Sequence, residues 1–162
     1  MGEVLHEDIS LPPEGLPLPW RPSQLDGLVK DAQKTVFKAS SVFPFDIVPD
    51  RLVIDLTKVV IVRRELFGME TEHTILLDEV RDVDAEVNYF LGSLRILGSG
   101  PGAVWTSVNN LRKNDVHQAK DIIEGLLIAK RAQWDLTQVK SGELTQQVSA
   151  LGGWDHRPAE TD

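Results

Sequence analysis

The side chains that could do chemistry in this chain are few, and their spacing decides what each can do. Asp82, Asp84 and Glu86 alternate with Val83, Ala85 and Val87, so in a strand all three carboxylates share one face. Such a row could hold a hard cation such as calcium, or it is the wet face that a sheet with one solvated side normally shows. His73 and His117 have no second histidine or carboxylate at metal-ligand spacing. The run Gly98, Ser99, Gly100, Pro101, Gly102 has the glycines of a phosphate-cradling loop, but no Lys-Ser or Lys-Thr follows and the next element reads as a strand. It is a hairpin connection. Ser99 and Ser107 carry no nucleophile-elbow or triad signature. The sequence therefore predicts a protein that is not an enzyme, with no catalytic residue, no cofactor and no metal ligand to name.

Composition narrows the partners. The 162 residues suit a single core of ordinary size. With 17 basic and 25 acidic residues the net charge is -8, which repels phosphate backbones and anionic bilayers. Nucleic acid is excluded as the expected partner. The chain has no cysteine, which removes disulfides and thiolate zinc sites and fits a reducing compartment. No apolar run reaches the ~18 residues of a membrane helix, and Glu3, Glu7 and Asp8 replace the basic start of a signal peptide. The expectation is a soluble, cytoplasmic chain with no integral membrane segment.

The elements that carry these side chains centre on residues 51–131. Leu52, Ile54 and Leu56 alternate with Val53 and Asp55, and β-branched residues resume at Val59, which reads as a hairpin. Residues 70–77, 80–89, 94–97 and 103–108 add further strands around turns at Gly68 and Gly92. Six or seven antiparallel strands are expected. A helix follows, with Asn114 as its N-cap and Val116, Ala119, Ile122, Ile123, Leu126 and Leu127 as one apolar stripe. Leu52, Ile54, Ile75, Val83, Val87, Ile96, Val104 and Ile122 are expected to share one core.

Strand meander, glycine turn and C-terminal helix, in that order, resemble the bacterial pleckstrin-homology-like (PH-like) domains. The matching pieces are the hairpin over residues 52–62, the step Ile75-Leu76-Leu77-Asp78-Glu79-Val80, the turn and strand Gly92-Ser93-Leu94-Arg95-Ile96, and residues 108–115 leading into the helix. They span about half of the chain. The resemblance implies a mostly β fold with flanking helices, a bent barrel of six or seven strands capped by the C-terminal helix, and no enzymatic activity. It leaves the ligand open, because the fold serves many partners. In lipid-binding members of the wider superfamily a basic cluster near the first hairpin holds an inositol phosphate. The comparable residues here are Lys58, Arg63 and Arg64, and of these Lys58 and Arg63 are the ligand candidates. Arg63 and Arg64 are adjacent in a strand and point to opposite faces, whereas a clamp needs its cations on one face. With the net charge of -8 this argues against lipid binding.

The flanks supply the expected contact surface. Residues 1–22 hold five prolines around Trp20 and read as an extended tail, and residues 23–42 read as an amphipathic helix through Leu25, Val29 and Val36. The domain proper is expected over residues 43–133, with residues 43–48 as an apolar lead-in to the barrel. A helical extension over residues 134–152 carries a second stripe of Leu144, Val148 and Leu151, and residues 153–162 form a tail around Trp154. If the core lies within residues 51–131, these two stripes and the two tryptophans are free to dock on another protein or on a second copy of the chain. A binding or scaffold module acting through protein contacts is the leading reading. A barrel that binds a small molecule or lipid headgroup is the alternative, and an enzyme with an unrecognised site comes last.

Overall fold

The alternation that marks strands in the sequence becomes two antiparallel sheets. The computed structural model describes residues 34–100 and 102–153. Strands β1 (Thr35–Ser40), β2 (Arg51–Asp55), β3 (Lys58–Arg64) and β4 (Glu70–Leu76) form the first sheet in sequence order. After a 3-10 turn (Leu77–Glu79), β5 (Val80–Val87), β6 (Leu91–Gly98) and β7 (Trp105–Arg112) form the second. Helix α1 (Lys113–Arg131) and helix α2 (Ser141–Gly152) follow. Among the described residues no helix is long and apolar enough to cross a membrane.

Among the described residues no strand ladder joins the two sheets, so the seven antiparallel strands form a four-stranded and a three-stranded sheet that are not closed into a barrel. They are tied at one corner. Val42 N donates to Asn110 O at 2.9 Å, and the Arg63 guanidinium donates to Ser107 O at 2.8 Å. Both contacts satisfy carbonyls of β7 that have no strand beside them, which a buried edge requires.

The helix expected over residues 23–42 is not formed in its described part. Residues 35–40 are β1, with Phe37 opposite Ile54 and Ala39 opposite Leu52. Val36 and Ala39 fit a helical stripe, yet Thr35, Val36 and Phe37 are also good strand formers, and β2 pairs with Thr35 and Phe37 on either side of an irregularity at Val36. The remainder of that segment, with Leu25 and Val29, lies outside the described residues, as do the tails carrying Trp20 and Trp154.

Leu52, Ile54, Val83, Leu94, Ile96, Val108 and Leu111 from both sheets meet Val116, Ala119, Ile122, Ile123 and Leu126 of α1 in one buried cluster. Ile75 packs on its margin. Val87 and Val104 do not join it, being 39% and 72% exposed. Val104 precedes β7, which starts at Trp105, and β5 stops at Val87 with the turn of residues 88–90. The cap of α1 also differs, since Arg112 rather than Asn114 is the N-cap and makes no side-chain cap bond. Lys130 in its last turn reaches Asp78 at 2.5 Å.

Helix α2 is part of this core. Leu144 and Val148 are fully buried, and the backbones of α1 and α2 approach at two glycines. A Cβ on Gly125 would lie 1.9 Å from Val148 O, and one on Gly152 would lie 1.8 Å from Asp121 O. Only glycine permits that approach. Lys34 Nζ, just before β1, donates to Thr137 O at 3.3 Å and also to Val139 O in the connection between the helices, and Thr145 Oγ1 of α2 donates to Val36 O of β1 at 2.8 Å.

Candidate functional site

The cations of the first hairpin do not converge. Lys58 pairs with Leu76 at one end of β3 and Arg63 with Thr71 near the other, five residues or roughly 17 Å apart along a strand. Arg63 reaches Ser107 O of the second sheet, and Arg64 is held by Glu70 at 2.9 Å. A single phosphate cannot engage Lys58 and Arg63 together in this arrangement.

Two members of the acidic row share one cation. Arg95 of β6 lies opposite Asp84, forms an ion pair with it, and reaches Glu86 at 2.9 Å. The hydrogen bond from Arg95 holds the Asp84 carboxyl below its ordinary range. Asp82 Oδ1 accepts from the Val83 N–H at 2.8 Å. Among the described residues no group of three His, Asp or Glu side chains could hold a metal ion. Arg95 also stacks over Trp105, 5.4 Å from its ring centroid, so this tryptophan lies on the outer face of the second sheet. His73 and His117 are exposed on β4 and α1.

The contact surface expected on the flanks is corrected where the structure describes it. Val36, Leu144 and Val148 are buried in the chain's own core, and Leu151 is half-buried. Helix α1 has more apolar surface than the sheets cover, and α2 takes up the rest. These residues are therefore not an open strip.

The apolar side chains left in water are elsewhere. The β1–β2 connection is drawn tight at its base, where Ser41 N donates to Asp50 O at 3.0 Å and Asp50 N to Ser41 Oγ at 2.8 Å. Its outer part carries Phe43, Phe45 and Ile47, exposed by 70%, 64% and 71%. The β3–β4 connection lies beside it, with Arg64 N donating to Asp50 Oδ1 at 3.3 Å. It carries Leu66, Phe67 and Met69, exposed by 56%, 100% and 60%. Val48 of the first connection and residues 64–70 of the second enclose an open hollow of about 310 Å³.

Phe67 is the extreme case. Gly68 N donates to Glu65 O at 3.3 Å and Glu65 N to Met69 O at 2.8 Å, which makes Phe67 the third residue of a four-residue turn. Its φ is +84°. That position of such a turn normally takes glycine, because a side chain is strained there. A bulky ring that gains nothing from burial sits where the backbone least favours it.

A third outcrop, Tyr89 and Phe90, is 93% and 84% exposed on the β5–β6 turn. Asn88 Oδ1 accepts from Phe90 N at 3.2 Å and from Leu91 N at 2.9 Å, fixing the turn, and Lys113 N donates to Phe90 O at 3.3 Å.

The sequence reading takes residues 43–48 as an apolar lead-in to the barrel and gives Leu66, Phe67, Met69 and Phe90 no role. A signal for their exposure is nevertheless present. Pro44, Pro49 and Gly68 interrupt both runs, and a segment that cannot enter a sheet or helix has few ways to bury its side chains.

No protein-family model matches the sequence, and a search of curated proteins likewise finds no match.

Proposed function

We propose that this chain is a non-catalytic binding module of PH-like fold that works through contacts with protein, made by the exposed β1–β2 and β3–β4 connections. The observation that carries this reading is Phe67, strained at φ +84° and wholly exposed. Backbone strain of ~1–3 kcal/mol persists where it serves a function. Its neighbours support the same conclusion. The three phenylalanines of the two connections expose roughly 450 Å², and with Ile47, Leu66 and Met69 the patch exceeds the ~300–600 Å² of the largest patch on an ordinary monomer. The PH-like part of the reading rests on the order of the elements, a four-stranded sheet, a three-stranded sheet and then a helix. The cytoplasmic setting rests on the cysteine-free composition.

A photo-crosslinking residue at position 67, compared with one at Gln118 on the exposed face of α1, tests the reading. Specific adducts in the native lysate are expected from position 67 and not from position 118. No adduct from either position, or the same adducts from both, sinks it.

A further inference from the structure

We propose that the occupant of the aromatic end is a second copy of this chain, in a two-fold contact where Phe67 of each copy enters the hollow beside Val48 of the other. This rests on the reading of that end as a protein-contact surface and names its partner.

A two-fold contact uses the same patch on both molecules, so the patch must contain both halves of every interaction. This end does. The projecting half is Phe67, fully exposed at the tip of the β3–β4 connection. The receiving half is the hollow of about 310 Å³ at the base of the same tip, walled by Val48, Leu66 and Met69 and by the stem of Arg64. That volume is at the lower limit of ligand pockets, room for one ring and little more. A single chain cannot use both halves on itself, because Phe67 stands on the lip of its own hollow.

Charge follows the same pattern. The wall of the hollow carries a cation, Arg64, held by Glu70. Its lip carries Glu65, which has no ion-pair partner among the described residues. A two-fold axis through the tip brings Glu65 of one copy towards Arg64 of the other. A bilayer offers no matching ring, and it would have to receive Asp46 and Glu65 along with the rings.

The area is sufficient. A stable interface takes about 800 Å² from each partner. The six exposed side chains of the two connections supply most of that before any backbone is counted, and their aromatic share is the kind that anchors interfaces.

The test is sedimentation equilibrium of the full chain from about 1 to 200 μM, with three variants. Wild type is expected to pass from 18.0 kDa to twice that mass as concentration rises. Val48→Asp closes the hollow with a charge and removes the dimer. Phe67→Gly also removes it, while the monomer, measured at the lowest concentration, melts at or above wild type because the strained φ is relieved. The third variant, Gln118→Asp, is remote from the patch and leaves the dimer intact. A wild type that stays at 18.0 kDa throughout overturns the proposal, and so does a Phe67→Gly protein that dimerises as wild type does. A monomeric wild type that sediments with phosphatidylcholine vesicles overturns it in favour of a bilayer. If the monomer instead yields specific adducts with another protein from position 67, the self-contact fails and the binding-module reading stands. Without adducts both fail.

Discussion

The seam between α1 and α2 and the end formed by the β1–β2 and β3–β4 connections treat apolar side chains in opposite ways. Along the seam Ile122, Ile123, Leu126, Leu144 and Val148 are buried to within 2%, and two glycines let the helix backbones touch. At the connections Phe43, Phe45, Ile47, Leu66, Phe67 and Met69 stay more than half exposed. Hydrophobicity does not separate the two sets. The seam is regular helix, whose interior backbone groups bond within the helix, so its side chains can pack without cost to the main chain. The connections are turns held by Ser41, Asp50 and Glu65 at their bases, and their side chains have no facing layer. The lesson is that apolar character sets what a residue gains from burial, while backbone regularity decides whether burial within the chain is available.

Three changes would break or sharpen this contrast. Ile122→Asp places an unpaired charge in the seam and should cost on the order of 4–5 kcal/mol. Its thermal melt should show the loss, and a melt like wild type would mean that α1 does not close the core. Gly125→Ala puts a methyl group 1.9 Å from Val148 O and should cost ~3 kcal/mol as the helices separate. If chemical denaturation finds it neutral, the close approach of the helices is not what fixes them. Phe67→Gly should have the opposite sign. Removing a side chain at φ +84° should stabilise the monomer by about 1 kcal/mol, and a loss of stability would place Phe67 in the fold rather than at a surface.

The smallest effect belongs to neither region and sets the scale for an ordinary surface contact. Arg95 holds the Asp84 carboxyl below its usual value, so the folded chain binds that proton less readily than the unfolded one. The stabilisation is complete above about pH 4 and is lost as the pH falls through the lowered value. The pair is partly exposed, 39% and 41%, so solvent screening leaves it a small contribution. Asp84→Asn should remove that acid limb from the stability profile, and an unchanged profile would show that the pair contributes nothing.

What the sequence made legible follows the same division. The β2–β3 hairpin, the inward phase of Val83 in β5 and the stripe of α1 are local periodicities, and each forms at or near its predicted place. Residues 35–40 were misread because Val36 and Ala39 satisfy a helical spacing while their neighbours satisfy a strand, and only the distant partner β2 decides between them. Leu144 and Val148 were correctly seen as one helical face, but what covers that face is Gly125 and its neighbours on another helix, which no local pattern reveals. Val104 shows the reverse error, an apolar residue counted inward although the loop before β7 leaves it in water. The aromatic end is only partly legible for a related reason. Residues 43–48 read as a lead-in and Phe67 gives no pattern at all, because their exposure depends on turns whose geometry is set by Asp50 and by the positive φ at Phe67.

The bond from Thr145 to Val36 O spans 109 positions, and Lys34 reaches Thr137 and Val139 across 103 and 105. Contacts this distant in sequence are formed late, because the loop between them must close before they return any energy. During synthesis β1 leaves the ribosome long before α2 exists. Until Val148 follows, the side of α1 that faces α2 and the Val36 carbonyl have no cover, so a chain that ended near residue 131 would hold both sheets but an unsealed core. The order of manufacture thus makes the last helix the step that commits the first strand.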